Sequence, residues 1–216
     1  SQPDGRGGWW GGYIDLLRMR VLWPLIPLTA LNYAPAAGIR GLWAGPFLAD
    51  VYGADAIAIG DATLFMALSM IGGAFFYGPL DRVFGTRKWV AFFGNAVGVA
   101  ALVVLALFPL TGTVGSTVLF VLIGLFGGSF GLVIAHSRAF LPARLMGRGV
   151  TLMNFFSIGV TGLMQFAAGG VVAASMVPGE PAAAYSTLFF FYAAMLGLSL
   201  LVYLFARDAR PERLNR

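Results

Sequence analysis

The stretch GGSFG, at residues 127–131, has the spacing G-x-S-x-G that can present a nucleophilic serine. Such a serine needs a histidine base within about 2.6–3.2 Å. The single histidine, His136, follows Ser129 by seven residues, which is about 10 Å along one helix. One histidine and no cysteine also exclude thiolate chemistry and multi-histidine metal sites. We therefore expect no enzymatic activity, no cofactor and no metal site.

The other residues that could do chemistry are polar side chains embedded in apolar sequence. Arg40 lies within AAGIRGLWAGPF, and an arginine at mid-membrane costs about 2.5–3.5 kcal/mol unless it meets a partner or a cavity. It could bind an anionic solute, form a gate pair with Asp50 or Asp61, or extend to the outer headgroups. Asn32 and Tyr33 precede Pro35, which frees a backbone carbonyl and favours a broken helix of the kind that lines transport sites.

Three amides complete the set of candidate solute-binding residues, which are Asn32, Tyr33, Arg40, Asn95, Asn154 and Gln165. For each amide the alternative is a hydrogen bond between helices, which satisfies a polar group inside the bilayer. The chain carries no phosphate-binding loop of the type G-x-x-x-x-G-K-[ST], so the sequence offers no sign of ATP-driven work.

The elements that must position these residues are set by an apolar composition. Only 11% of the 216 residues are charged, 59% are hydrophobic, and the mean hydropathy is +0.83, whereas soluble domains are about 25% charged. We predict an all-α integral membrane protein, because continuous apolar runs of about 20 residues indicate spanning helices. The predicted spans cover about 21–49, 57–80, 89–109, 115–136, 149–174 and 185–206.

Residues 1–20 are predicted to form a lead-in and residues 207–216 a tail, and kinks are expected at the prolines of the first span, especially Pro35. Thirteen of the fourteen basic residues fall on one side of this topology, Arg40 being the exception. The positive-inside rule places that side and both termini in the cytoplasm, and we expect a bacterial inner membrane protein. The net charge of +5 thus reflects orientation, and no nucleic-acid partner is expected.

Glycines four residues apart mark three small-residue stripes: Gly94 with Gly98, Gly124 with Gly128, and Gly127 with Gly131. Such stripes let helix backbones approach closely. We expect tight helix packing there, with sliding or gating surfaces as the alternative.

The sequence GPLDRVFGTRK, residues 78–88, is predicted to be a short cytoplasmic turn between the second and third spans. It resembles the loop motif G-x-x-x-D-R-x-G-R-[KR] of the major facilitator superfamily. Asp81 and Arg82 match the D-R pair, Gly85 lies one position later than the glycine of the motif, and Arg87 and Lys88 are displaced by one further position. The basic loop and polar helix of residues 136–165 are similar to a second region of that family.

The resemblance implies one six-helix half, the C-terminal one, of a secondary transporter that moves a small solute by alternating access. Its partners would be the lipid bilayer and either a missing N-terminal half or a second copy of the chain. A non-transporting assembly or scaffold protein on the same fold is the alternative.

The resemblance also implies a latch, in which Asp81 lies among basic residues at the start of the fifth span, near Gly149 and Arg148. A carboxylate at a helix N-terminus is stabilised by about 0.3–1 kcal/mol. The alternative is that the charges of this loop only fix the orientation of the chain in the membrane.

Overall fold

The computed structural model describes residues 10–210, and all the regular structure in this range is helical. Besides α-helices, the range contains a π-helical segment, Ile39–Trp43, and a 3-10 turn, Ala143–Leu145. The α-helices are α1 (Gly11–Arg18), α2 (Ile26–Leu31), α3 (Ala34–Gly38), α4 (Ala44–Tyr52), α5 (Ala56–Phe84), α6 (Arg87–Leu107), α7 (Gly112–Gly127), α8 (Phe130–Arg138), α9 (Met146–Ser175) and α10 (Pro181–Tyr203).

Five helical segments of the described range are long and apolar enough to cross a membrane. They confirm the prediction of a helical membrane protein and match the second to sixth predicted spans. The predicted span 115–136 is interrupted at Gly128 and Ser129, between α7 and α8. The five segments are Ala56–Phe84, Arg87–Leu107, Gly112–Arg138, Ala143–Ser175 and Pro181–Tyr203.

The first predicted span, 21–49, is a chain of short helices that continues to Tyr52 rather than one long helix. Each of its breaks has a proline nearby: Pro27 and Pro35 lie in the first turns of α2 and α3, and Pro46 in the first turn of α4. A proline lacks an N–H and is tolerated in a first turn, where that N–H needs no partner. The bend at Asn32 and Tyr33 confirms the kink expected next to Pro35.

The turn predicted over residues 78–88 is wrong in its extent. Helix α5 continues through Asp81 and Arg82 to Phe84, and only Gly85 and Thr86 separate it from α6. Gly85 has φ +66°, the left-handed conformation in which glycine ends a helix at little cost. Thr86 then caps α6, its hydroxyl accepting the Trp89 N–H at 3.3 Å.

The bundle is built around two groups of helices. Helices α5, α6 and α7 pack side by side, and α10 joins α6 to the group formed by α2, α3 and α9. Phe47 of α4 lies edge-on to the rings of Phe120, Tyr185 and Phe189. Edge-to-face aromatic pairs of this kind give about 0.5–1.5 kcal/mol each beyond their burial.

The predicted glycine stripe on α7 packs as expected. A Cβ built on Gly124 would lie 2.8 Å from the carbonyl oxygen of Met66, and one on Gly128 would lie 2.8 Å from that of Met70. Both positions therefore need glycine so that the α5 and α7 backbones can meet. Gly131 is different, because a Cβ there would meet nothing within 4 Å.

The two predicted terminal segments are only partly described. Residues 11–18 of the predicted lead-in form α1, which packs against α9. Residues 204–208 of the chain contact the start of α6. Residues 1–9 and 211–216 lie outside the described range.

Candidate functional site

Asn32, Asn95 and Ser129 form a buried polar cluster where α2, α6 and the α7–α8 break meet. The Asn32 Nδ2 donates to Asn95 Oδ1 at 2.5 Å and to Ser129 Oγ at 2.8 Å. The Asn95 Nδ2 donates to Ser129 Oγ at 3.1 Å and to the Ala91 carbonyl at 2.8 Å. Ser129 of the GGSFG stretch lies at the break between α7 and α8. Its hydroxyl oxygen accepts hydrogen bonds from two asparagines, so its role in this structure is to join helices.

One polar atom of this cluster has no partner among the described residues. The Asn32 Oδ1 is buried and unpaired, and a cavity of about 10 Å³ opens beside Asn32, Pro35 and Asn95. A cavity of that size holds about one water molecule. The cluster thus joins three helices and has no room for a larger solute.

Tyr33 and Arg40 line an open groove of about 590 Å³ on the other side of the same broken segment. Its walls are apolar except for these two side chains, and the Tyr33 ring lies 5.9 Å from the ring of Phe130. The remaining lining residues include Met70, Ile71, Gly127, Gly128 and Gly131.

The groove lies near mid-length of the three chain segments that form it. Arg40 is close to the middle of the segment from Ile26 to Tyr52, Met70 is close to the middle of α5, and Gly128 marks the break inside the Gly112–Arg138 span. Arg40 belongs to the π-helical segment, and π turns often occur at functional positions. The groove therefore opens near the centre of the bundle's length, where transporters bind solutes.

The guanidinium of Arg40 forms no ion pair with any carboxylate of residues 10–210. The gate pairs considered for it are absent: Asp50 accepts a 2.5 Å hydrogen bond from the Tyr185 hydroxyl, and Asp61 faces a separate crevice between α5 and α7. Arg40 is instead exposed to the groove. It thus presents a positive charge and up to five N–H donors to whatever enters.

Asn154 and Gln165 do not join either site. Both lie half-buried on α9 and form no hydrogen bond with the described residues. They share one face of α9 with Ser157 and Thr161, whose buried hydroxyls are also unpaired. The sequence analysis missed these two hydroxyls, although their spacing from Asn154 places all four side chains on one helical stripe.

The charged residues of the α5–α6 turn are arranged differently from the predicted latch. Asp81 is buried and accepts from Arg87 Nε at 3.0 Å, the only ion pair between residues 10 and 210. Arg82 is exposed, whereas Arg148 packs against Gly12 of α1. Helix α5 packs mainly on α7 rather than α9, so Asp81 does not stand at the start of α9.

The carboxylate that does meet a helix N-terminus here is Asp208, which the sequence analysis did not single out. It accepts from Thr86 Oγ1 at 2.6 Å and from the Lys88 N–H at 3.0 Å. Partial burial opposes ionisation, but these hydrogen bonds outweigh it and lower the pKa of Asp208. Lys88 Nζ adds a 2.7 Å hydrogen bond to the Leu204 carbonyl, so the chain after α10 is fastened to the start of α6.

His136 contributes to the same fastening. Its Nε2 lies 3.0 Å from the Arg207 carbonyl, which can only accept, so Nε2 carries a proton. Its Nδ1 lies 2.5 Å from the Tyr203 hydroxyl. His136 is therefore engaged by the end of α10 and the chain beyond it, and Ser129 by the two asparagines.

The sequence matches no model of a protein family and no curated protein. The proposals that follow rest on the geometry of the described residues and on the resemblance of residues 78–88.

Proposed function

We propose that this chain is one half of a secondary transporter of the major facilitator type, and that its groove binds a small organic anion. The carrying observation is Arg40: a guanidinium without a carboxylate partner among residues 10–210, exposed to a groove of about 590 Å³ at mid-length of the bundle. A charge at that depth is costly unless it is compensated, and an anionic solute would compensate it.

The shape of the groove agrees with a solute that has an apolar part. Tyr33 and Phe130 provide an aromatic surface beside Arg40, and Gly127, Gly128 and Gly131 leave that wall of the groove without side chains. The anionic group would bind the guanidinium, with Tyr33 able to donate or accept one further hydrogen bond. Asn32 and Asn95 would hold the broken segment in place rather than touch the solute.

The exposed helices support the idea of a partner half. In the most apolar stretch of each helix, 17% of the residues of α5 and 28% of those of α9 are buried, compared with 44% for α6 and α10. In the proposed assembly a second six-helix unit, either a separate half or a second copy, would complete the groove. Alternating access would then follow from rocking of the two units about Arg40. The assembly would lie in a bacterial inner membrane with both termini inside.

Ligand-dependent stability tests the anion site directly. We would measure the melting temperature of the purified chain in lipid nanodiscs with acetate, benzoate, inorganic phosphate, glucose and choline. We expect at least one anion to raise it and the neutral and cationic compounds to leave it unchanged. A ligand at one hundred times its Kd stabilises a protein by about 2.7 kcal/mol.

Two variants decide whether Arg40 is responsible. Arg40→Gln should abolish the anion-dependent rise, whereas Arg144→Gln, which removes an exposed arginine from the loop before α9, should keep it. An equal response of both variants would contradict the proposed site. Stabilisation by no solute of any class, with no uptake in proteoliposomes, would favour a non-transporting assembly protein.

A further inference from the structure

A second cavity lies between the end of α5 and the start of α6, close to the basic residues Arg87 and Lys88. It has a volume of about 390 Å³ and is lined almost entirely by aromatic and aliphatic side chains. Six aromatic residues dominate its walls: Phe76, Tyr77, Phe84, Trp89, Phe93 and Phe126. It shares no residue with the Arg40 groove.

The crevice opens at a face of α5 that lines no part of the Arg40 groove, and in the proposed assembly this face would meet the bilayer while the groove face would meet the partner half. Helices α5 and α6 both pack on α7 and touch each other little, so a gap remains between them. The rings at its rim are uncovered by protein, with Phe76 48% and Phe93 63% exposed. In a bilayer, an apolar gap at this position meets hydrocarbon chains rather than water.

Hydrogen-bond donors stand at the basic mouth of the crevice. Thr86 lines the crevice, and the next two residues, Arg87 and Lys88, begin α6 beside it without lining it. Arg87 uses only Nε on Asp81, so its two Nη groups have no acceptor among the described residues. Lys88 Nζ donates one bond to Leu204 and lies 5.1 Å from the ring centroid of Trp89, which lines the crevice.

One buried donor inside the crevice also lacks a partner. The Tyr77 side chain is 3% exposed, and its hydroxyl makes no hydrogen bond with the described residues. An unpaired buried hydroxyl costs about 1–3 kcal/mol, so an acceptor supplied by a bound molecule would be favoured. From Tyr77 to the end of α5 is about 10 Å along the helix axis.

We propose that this crevice binds one anionic phospholipid. An acyl chain lies along the aromatic wall, an ester carbonyl accepts from the Tyr77 hydroxyl, and the phosphate meets Arg87 and Lys88. The donors at the mouth favour an anionic headgroup, since basic pockets between spans at this level attract such lipids. The aromatic ring of Trp89 lies at the boundary between the two parts, where tryptophan is usually found in membranes.

Native mass spectrometry of the purified chain in detergent tests this proposal. The chain is titrated with dioleoylphosphatidylglycerol and, separately, with dioleoylphosphatidylcholine. We expect one phosphatidylglycerol to bind at a concentration at least fivefold lower than phosphatidylcholine. Equal binding of the two lipids would overturn the proposal.

The headgroup contact is tested by two variants that each remove one positive charge, one from the start of α6 and one from the end of α5. Lys88→Gln should abolish the preference for phosphatidylglycerol. Arg82→Gln should retain it, because Arg82 lies two residues from both Leu80 and Phe84 and hence on the opposite face of α5. Equal loss in both variants would show that only net charge matters and would overturn the site.

The acyl-chain contact is tested by a pair on one face of α6. Val97 and Val104 are 41% and 40% exposed and lie seven residues apart, but only Val97 lines the crevice. Val97→Trp should weaken lipid binding at least fivefold and Val104→Trp should not. The same effect from both would place the chain elsewhere. Because this pair leaves Lys88 in place, it tests lipid binding in the crevice even if Lys88→Gln does not fold.

Discussion

At the scale of single residues, the buried amides and the arginine of the groove differ in whether they have partners. Asn32 and Asn95 are hydrogen-bonded to each other and to Ser129, and these bonds hold the helices together. Arg40 has no such partner among residues 10–210 and is exposed to a groove. The contrast separates a structural polar group from a candidate binding group on physical grounds.

The asparagine cluster predicts a difference between two amides of the same type. Asn95→Ala removes hydrogen bonds to Asn32, Ser129 and Ala91 and should cost about 1–2 kcal/mol. Asn154→Ala removes no hydrogen bond to a described residue and should be nearly neutral. Thermal unfolding in one detergent compares them. Equal losses would mean that the cluster adds nothing to stability.

Asp208 predicts an acid-sensitive fastening of the chain after α10. Because its pKa is lowered in the folded protein, the stability it contributes is present above its ordinary value of 3.8 and is lost as pH falls through the lower folded value. A carboxylate at a helix N-terminus contributes about 0.3–1 kcal/mol. Melting temperatures from pH 6 down to pH 3 should therefore fall further for the native chain than for Asp208→Asn. Parallel curves would contradict this assignment.

Residue-level prediction from the sequence relied on local signals. Asn32 and Tyr33 were identified because Pro35 follows them, and Arg40 because it is isolated in apolar sequence. Asp208 was missed because its partners Thr86 and Lys88 are more than a hundred positions away, and sequence spacing carries no sign of such a contact.

At the scale of elements, the close contact of α5 and α7 depends on backbone lying against backbone. Gly73 and Gly128 face each other across this contact, and a Cβ on Gly128 would lie 2.9 Å from the Gly73 Cα. The glycine spacing on α7 predicted tight packing, but only the structure shows which partner helix is involved. The ends of the helices were harder to predict from the sequence. Asp81 and Arg82 were predicted to lie in a turn, but they belong to the end of α5.

This contact predicts opposite outcomes for two neighbouring glycines. Gly128→Ala would press a methyl group onto the α5 backbone and should cost about 1–3 kcal/mol, as overpacking does. Gly131→Ala meets nothing within 4 Å and should change stability by less than about 1 kcal/mol. Unfolding of the two variants in the same detergent checks the difference. Comparable melting temperatures would show that α5 and α7 separate easily.

At the scale of the whole molecule, the distribution of charge predicts an orientation that cysteine labelling can test. The native chain has no cysteine, so any label reports an introduced one. Gly112 and Gly179 have φ +84° and +85°, so the exposed neighbours Thr111 and Val177 are better positions. Thr111→Cys and Val177→Cys should react from outside intact cells, and Ala139→Cys only after the cells are opened. The reverse pattern would invert the proposed topology.

The contacts around Thr86, Lys88 and His136 also impose an order on assembly of the chain. Thr86 and Lys88 meet Asp208 and Leu204 across sequence separations of 122, 120 and 116 residues. The start of α6 is therefore synthesised long before its carboxylate partner Asp208. The contact between them can form only after α10 has been synthesised. Such distant pairings form late because a long loop must close first. Until then Thr86 is the cap at the start of α6 that local sequence supplies, so translation itself sets when this corner of the bundle becomes complete.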